Sequence, residues 1–123
     1  MAVEITRNAD TFILKLEVDC PPHGKRFLTC ECCTDEKDAW LDDIPEIGHR
    51  WPIIWPKIAA KVESLVREYE RPAYFSSDDF ALTLIGDAWC KADFGIEVYF
   101  GNEDGWWVVF FRDFKVVHAQ PSF

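Results

Sequence analysis

Residues 106–111 read Trp106-Trp107-Val108-Val109-Phe110-Phe111, an unbroken apolar run in a chain of 123 residues with a formal charge of −9. A strand with one wet face alternates apolar and polar side chains, because successive side chains point to opposite faces of the sheet. This run does not alternate, so both faces of the strand must be covered. It marks a strand in the middle of a sheet or a place where a partner docks.

The flanking segments give that strand its neighbours. Before it, Gly101-Asn102-Glu103-Asp104-Gly105 has the composition of a hairpin connector. After it, Arg112-Asp113-Phe114-Lys115 fits a tight turn into a short strand over 115–118. Strand-like runs over 80–85 and 95–100 complete an antiparallel meander, while 87–93 fits either a loop or an irregular strand.

The N-terminal third alternates cleanly. Phe12, Leu14, Leu16, Val18 and Cys20 fall on one face, with Lys15, Glu17 and Asp19 on the other. Pro21-Pro22-His23-Gly24-Lys25 is turn chemistry, and a second alternating run over 26–33 places Leu28, Cys30 and Cys32 opposite Thr29 and Glu31. These two runs read as a β-hairpin.

Between the hairpin and the meander the spacing predicts one main amphipathic helix over 56–70. Pro56 suits its first position, Ile58, Val62, Leu65, Val66 and Tyr69 recur at helical spacing, and Pro72 ends it. Residues 34–50 read as acidic and irregular, with a short helical turn capped by Thr34 and stopped by Pro45 and Gly48. The expected fold class is α+β, a single domain over 1–123 with the helix packed on one sheet face.

Composition limits function. The chain is 49% hydrophobic and 15% aromatic, enough for one core at this length. It contains no run of about 18 apolar residues, so no transmembrane helix is expected. Glu4, Arg7, Asp10 and Lys15 interrupt any secretion-signal core, which makes the cytoplasm the expected compartment. A charge of −9 disfavours direct binding to nucleic acid or anionic lipid and favours a basic protein partner.

Cys20, His23, Cys30, Cys32 and Cys33 are the one cluster with zinc-ligand residue types. On a hairpin, however, Cys30 falls about 13 Å along the strand from Cys20, and the cysteines of the apolar face read as small core residues. No disulfide framework is expected from five cysteines without an export signal, and no cofactor is expected. The sequence shows no phosphate-binding Gly-rich loop, nucleophile elbow or two-histidine zinc helix, so the chain reads as a non-enzyme.

From 31 to 46 there are seven carboxylates and one cation, Lys37, interleaved with Trp40, Leu41 and Ile44. Such a stretch serves either as a solvated, self-repelling segment or as a docking surface, with carboxylates steering a basic partner and an aromatic anchoring it. The docking reading selects Asp35, Asp38, Trp40, Asp42 and Asp43, with Glu103 and Asp104 as a second acidic tip. His49, Arg50, Trp51, Pro52 and Trp55 either extend that surface or staple the chain under the helix start.

The C-terminal third resembles the ending of small bacterial immunity proteins of polymorphic toxin systems. The resemblance rests on Ile96-Glu97-Val98-Tyr99-Phe100, the acidic connector ending in Gly105, the strand through Phe111, and Arg112-Asp113-Phe114-Lys115-Val116-Val117. It departs at Asp104, where a His is common, and at Phe114, where a Gly is usual. The resemblance implies a non-catalytic inhibitor that occludes a basic toxin or nuclease. Two other readings stand beside it: a small zinc-binding domain using Cys20, His23, Cys30 and Cys32, and a homodimer formed through the Trp106 strand or an edge strand.

Overall fold

Leu14, Leu16 and Val18 bury one face of a strand whose other face carries Lys15, Glu17 and Asp19. This is β2 (Thr11–Asp19), and it pairs antiparallel along its whole length with β3 (Lys25–Cys33). The computed structural model describes residues 4–8, 10–33, 37–69, 80–86, 93–100 and 106–122. The expected hairpin is therefore present, but a strand that the sequence did not announce, β1 (Glu4–Asn8), adds to the free edge of β2. Residues 4–7 of β1 are all exposed, so that edge strand carries no burial pattern to read.

Two helices follow where one was expected: α1 (Lys37–His49) and α2 (Trp51–Glu68). The segment read as irregular is α1, with Pro45 inside it. Ile44, Ile47 and Gly48 are buried, and that burial holds the helix together through a residue that removes one backbone donor. α2 begins at Trp51 rather than Pro56, with Pro52 in its first turn. Trp51, Ile54, Trp55, Ile58, Val62, Leu65 and Val66 are buried at helical spacing. Tyr69 caps the C-terminus and is exposed, yet its ring lies 6.0 Å from that of Trp107.

The helices connect β3 to β4 (Phe80–Ile85), which lies beside β3 and parallel to it. Among the described residues this is the one parallel pair in a seven-stranded sheet of order β1 to β7. The Thr29 hydroxyl donates across it to the Leu82 carbonyl at 3.3 Å. From β4 the chain runs as an antiparallel meander through β5 (Phe94–Phe100), β6 (Trp106–Arg112) and β7 (Lys115–Ser122). The last strand is longer than the sequence suggested. Among the described residues no helix is long and apolar enough to cross a membrane.

Both helices pack on the sheet face that carries Leu14, Leu82, Ile96, Trp107 and Phe111, and these residues form one continuous core with Ile54, Ile58 and Val62. Each such side chain, fully buried, contributes roughly 1.5–3 kcal/mol. The Trp106 strand is covered on both faces, as all of 107–111 are buried. It lies one strand in from the β7 edge rather than at mid-sheet. Val108 and Phe110 point away from the helices, and Phe110 stacks on His118 at 6.0 Å while crossing Gly95 in register.

Candidate protein-binding site

Of the acidic stretch, residues 37–46 belong to α1, whereas Glu31 lies in β3. Asp38, Trp40 and Asp42 belong to α1, and their side chains lie outside the described residues, as do Asp35, Glu103 and Asp104 altogether. Asp43 is exposed on the second half of α1. It lines a surface cavity of about 400 Å³ together with Glu46, Ile47, Asp93, Phe94 and Phe114.

This notch brings together carboxylates from two distant parts of the chain over an aromatic floor. Phe94 is buried, its ring stacked on Phe111 at 5.2 Å and tilted against Phe114 at 6.0 Å. Phe114 sits in the β6–β7 turn, where Asp113 and Phe114 both adopt positive φ, 51° and 58°. Such a left-handed pair matches the twist of a two-residue hairpin and normally selects Asn, Asp or Gly. Phe114 is held there by its surroundings: the Arg50 guanidinium lies 4.6 Å from its ring, and the Lys57 ammonium donates to its carbonyl at 2.9 Å.

Asp93 anchors the same turn from the other side. One of its carboxylate oxygens accepts from the Asp113 N–H at 2.9 Å, and its own N–H donates to the Phe111 carbonyl at 2.8 Å. Glu46 accepts from Arg50 Nε at 2.6 Å, and that bond holds its carboxyl below the usual range. Asp43 makes no ion pair among the described residues. Three carboxylates thus ring an apolar floor, and Arg50 offsets one of them. The sequence pointed to Asp43 and to the acidic run that contains Glu46. It missed Asp93, Phe94 and Phe114, which only the β6–β7 turn brings to α1.

The cysteine and histidine residues are distributed otherwise. The register sets Cys30 opposite Leu14, six residues along the hairpin from Cys20, about 20 Å at strand rise. Cys20 and Cys30 are both buried, while the side chains of Cys32 and Cys33 lie outside the described residues. The turn is closed by Cys20 N–H donating to the Gly24 carbonyl at 2.8 Å and His23 N–H to the Cys20 carbonyl at 2.7 Å, with Gly24 at φ 81°. His23 packs edge-on against Phe80 at 5.2 Å and Trp55 at 6.4 Å. Among the described residues no three His, Cys, Asp or Glu side chains converge on a point that could hold a metal ion.

The tryptophans after α1 act as a staple. Trp51 Nε1 donates to the Asp19 carbonyl and Trp55 Nε1 to the Pro21 carbonyl, each at 2.9 Å, which ties the start of α2 to the β2–β3 turn. Both indoles are buried and stack at 6.3 Å. Comparison with protein-family models, with curated proteins and with solved structures gives no match for this chain.

Proposed function

We propose that the chain is a non-catalytic protein-binding domain whose partner is basic, and that it acts as an immunity-type inhibitor by covering the basic site of a toxin or nuclease. The observation that carries this reading is the notch of Asp43, Glu46 and Asp93 around Phe94 and Phe114, on a chain of net charge −9. Carboxylates at the mouth of an apolar recess steer a cationic side chain in, and the aromatic floor then packs its aliphatic stem. The sequence reading adds Asp35, Asp38, Trp40, Asp42, Glu103 and Asp104 as candidate contacts.

Inhibition by occlusion needs no reacting group on this chain. It needs rapid encounter, which the long-range field supplies, and slow release, which desolvated aromatic contacts supply. The test is association kinetics with candidate basic toxin or nuclease domains, comparing the wild type with an Asp43→Lys/Asp93→Lys variant. The variant should associate about tenfold more slowly, and the wild-type rate should fall as salt rises. Rates indifferent to both changes would remove the reading.

A further inference from the structure

A second recess lies where the β2–β3 turn meets the α1–α2 junction, a groove of about 380 Å³. Pro21, Trp51, Pro52, Trp55 and Pro56 are among its apolar lining residues. Both indole N–H groups are already committed to backbone carbonyls, so an apolar stem can enter without stranding a buried donor. Prolines and packed indoles have few rotamers to lose, so the groove is formed before anything binds.

The mouth of the groove is polar and unbalanced. Glu17, Asp19 and Lys25 line it, and Lys25 reaches Glu17 at 3.4 Å. Asp19 is exposed and makes no ion pair among the described residues. Lys25 also lies opposite Asp19 in the strand register, so two carboxylates share one cation at the rim. An apolar trough with that net negative rim fits a side chain that is itself a long hydrocarbon with a cationic end. Gly48, in the last turn of α1, lines this groove, while Glu46 and Ile47 of the same turn line the acidic notch.

We infer that this groove is an anchor pocket for an arginine or lysine side chain of the basic partner, its stem against Trp51, Trp55 and the prolines and its head at Asp19. The inference rests on the proposed binding of a basic protein and names a second contact for it. The probe is n-butylguanidinium, an arginine side chain without a backbone, set against the neutral n-butylurea of similar shape. Titrated into ¹⁵N-labelled protein, n-butylguanidinium should shift the indole N–H signals of Trp51 and Trp55 saturably. It should bind about threefold or more tightly than n-butylurea.

Asp19→Asn should abolish that preference. Lys25→Ala, which removes the competing cation at the rim and leaves the prolines and indoles in place, should enlarge it. Equal binding of the two probes, or shifts that leave both indoles unmoved, would overturn the inference. The Asp43→Lys/Asp93→Lys variant separates the two proposals. If it loses the basic partner while n-butylguanidinium still prefers the groove, both stand. If the groove fails to discriminate while partner association still depends on Asp43 and Asp93, the anchor alone falls.

Discussion

The guanidinium of Arg50, at the junction of the two helices, lies 4.6 Å from the ring centroid of Phe114, in the turn between the last two strands. This contact joins segments far apart in the chain and sets the shape of the acidic notch. Arg50 also binds Glu46 at 2.6 Å, so one cation contacts both a wall residue of the notch and Phe114 at its floor. The turn it braces is built on two non-glycine residues at positive φ.

That turn stores strain, and the first prediction measures it. A left-handed conformation costs an L-residue roughly 1–2 kcal/mol. The Phe114 ring offsets this through the Arg50 contact and the tilted pair with Phe94, together about 1–3 kcal/mol. Phe114→Gly removes strain and ring together and should destabilise by about 1 kcal/mol. Phe114→Leu keeps the strain but loses the aromatic contacts, and should cost more. Urea denaturation of both variants checks the order; a glycine variant more stable than wild type would show that the ring contributes less than the strain it imposes.

Gly95 supports the opposite face of the sheet. It sits across from Phe110, and a Cβ built there would lie 2.8 Å from two atoms of the Phe110 ring and 3.0 Å from Ile85 Cγ1. The ring covers the glycine backbone, an arrangement that protects an otherwise weak strand position. Phe110 is buried and stacked on His118, so it has little room to yield. Gly95→Ala should therefore destabilise by about 1–3 kcal/mol, read as a lower thermal midpoint, whereas glycine to alanine in an open strand would stabilise.

The features legible in the sequence were those written as burial patterns. Leu14, Leu16 and Val18 announce β2, and the run through Phe111 announces a strand covered on both sides. α2 was legible from Ile58, Val62, Leu65 and Val66, but Pro56 drew its start five residues too late, because a proline in the second turn reads as a first position. α1 was hidden by Pro45 and Gly48, local breakers overridden by the packing of Ile44 and Ile47. β1 carries no apolar alternation, and pairing with β2 is what makes it a strand. Direction was not written locally either: nothing in Leu28 or Leu82 says that β3 and β4 run parallel. For the same reason half of the candidate site was legible. Asp43 belongs to a local acidic run, whereas Asp93 and Phe114 join it only through tertiary folding.

Glu97 gives a pH dependence of defined sign. It is half-buried on the helix-free face, paired with Thr83 and Val108, and loss of hydration pushes its carboxyl above the usual value. The folded state then holds its proton more tightly than the unfolded chain, so this residue's contribution falls as pH rises through the carboxylate range and is level above it. Glu97→Gln should flatten that part of the curve and stabilise the protein at neutral pH by well under about 1 kcal/mol, since water still reaches the group. Urea midpoints between about pH 4 and about pH 7 check this. A Gln variant with an unchanged slope would show that the carboxyl is hydrated as in the open chain.

Cys20 supplies the last test, because it distinguishes a thiol packed in the core from one poised for chemistry. Burial pushes its pKa from 9.0 up to about 11, with the nearby Arg26 offsetting part of the shift. A rise of that size lowers the thiolate fraction at neutral pH about a hundredfold, and the thiolate is the reactive form. Cys20 and Cys30 should resist alkylation in the folded protein and react promptly in urea, which peptide mapping after iodoacetamide treatment reads directly. The same shift has a thermodynamic sign. Between about pH 9 and about pH 11 the unfolded chain releases this proton before the folded one does, so stability is lost as pH rises through that window. Cys20→Ala should remove that share of the alkaline loss. Rapid labelling of folded Cys20 at neutral pH would instead mean that the turn closed by Gly24 opens far more readily than its hydrogen bonds imply.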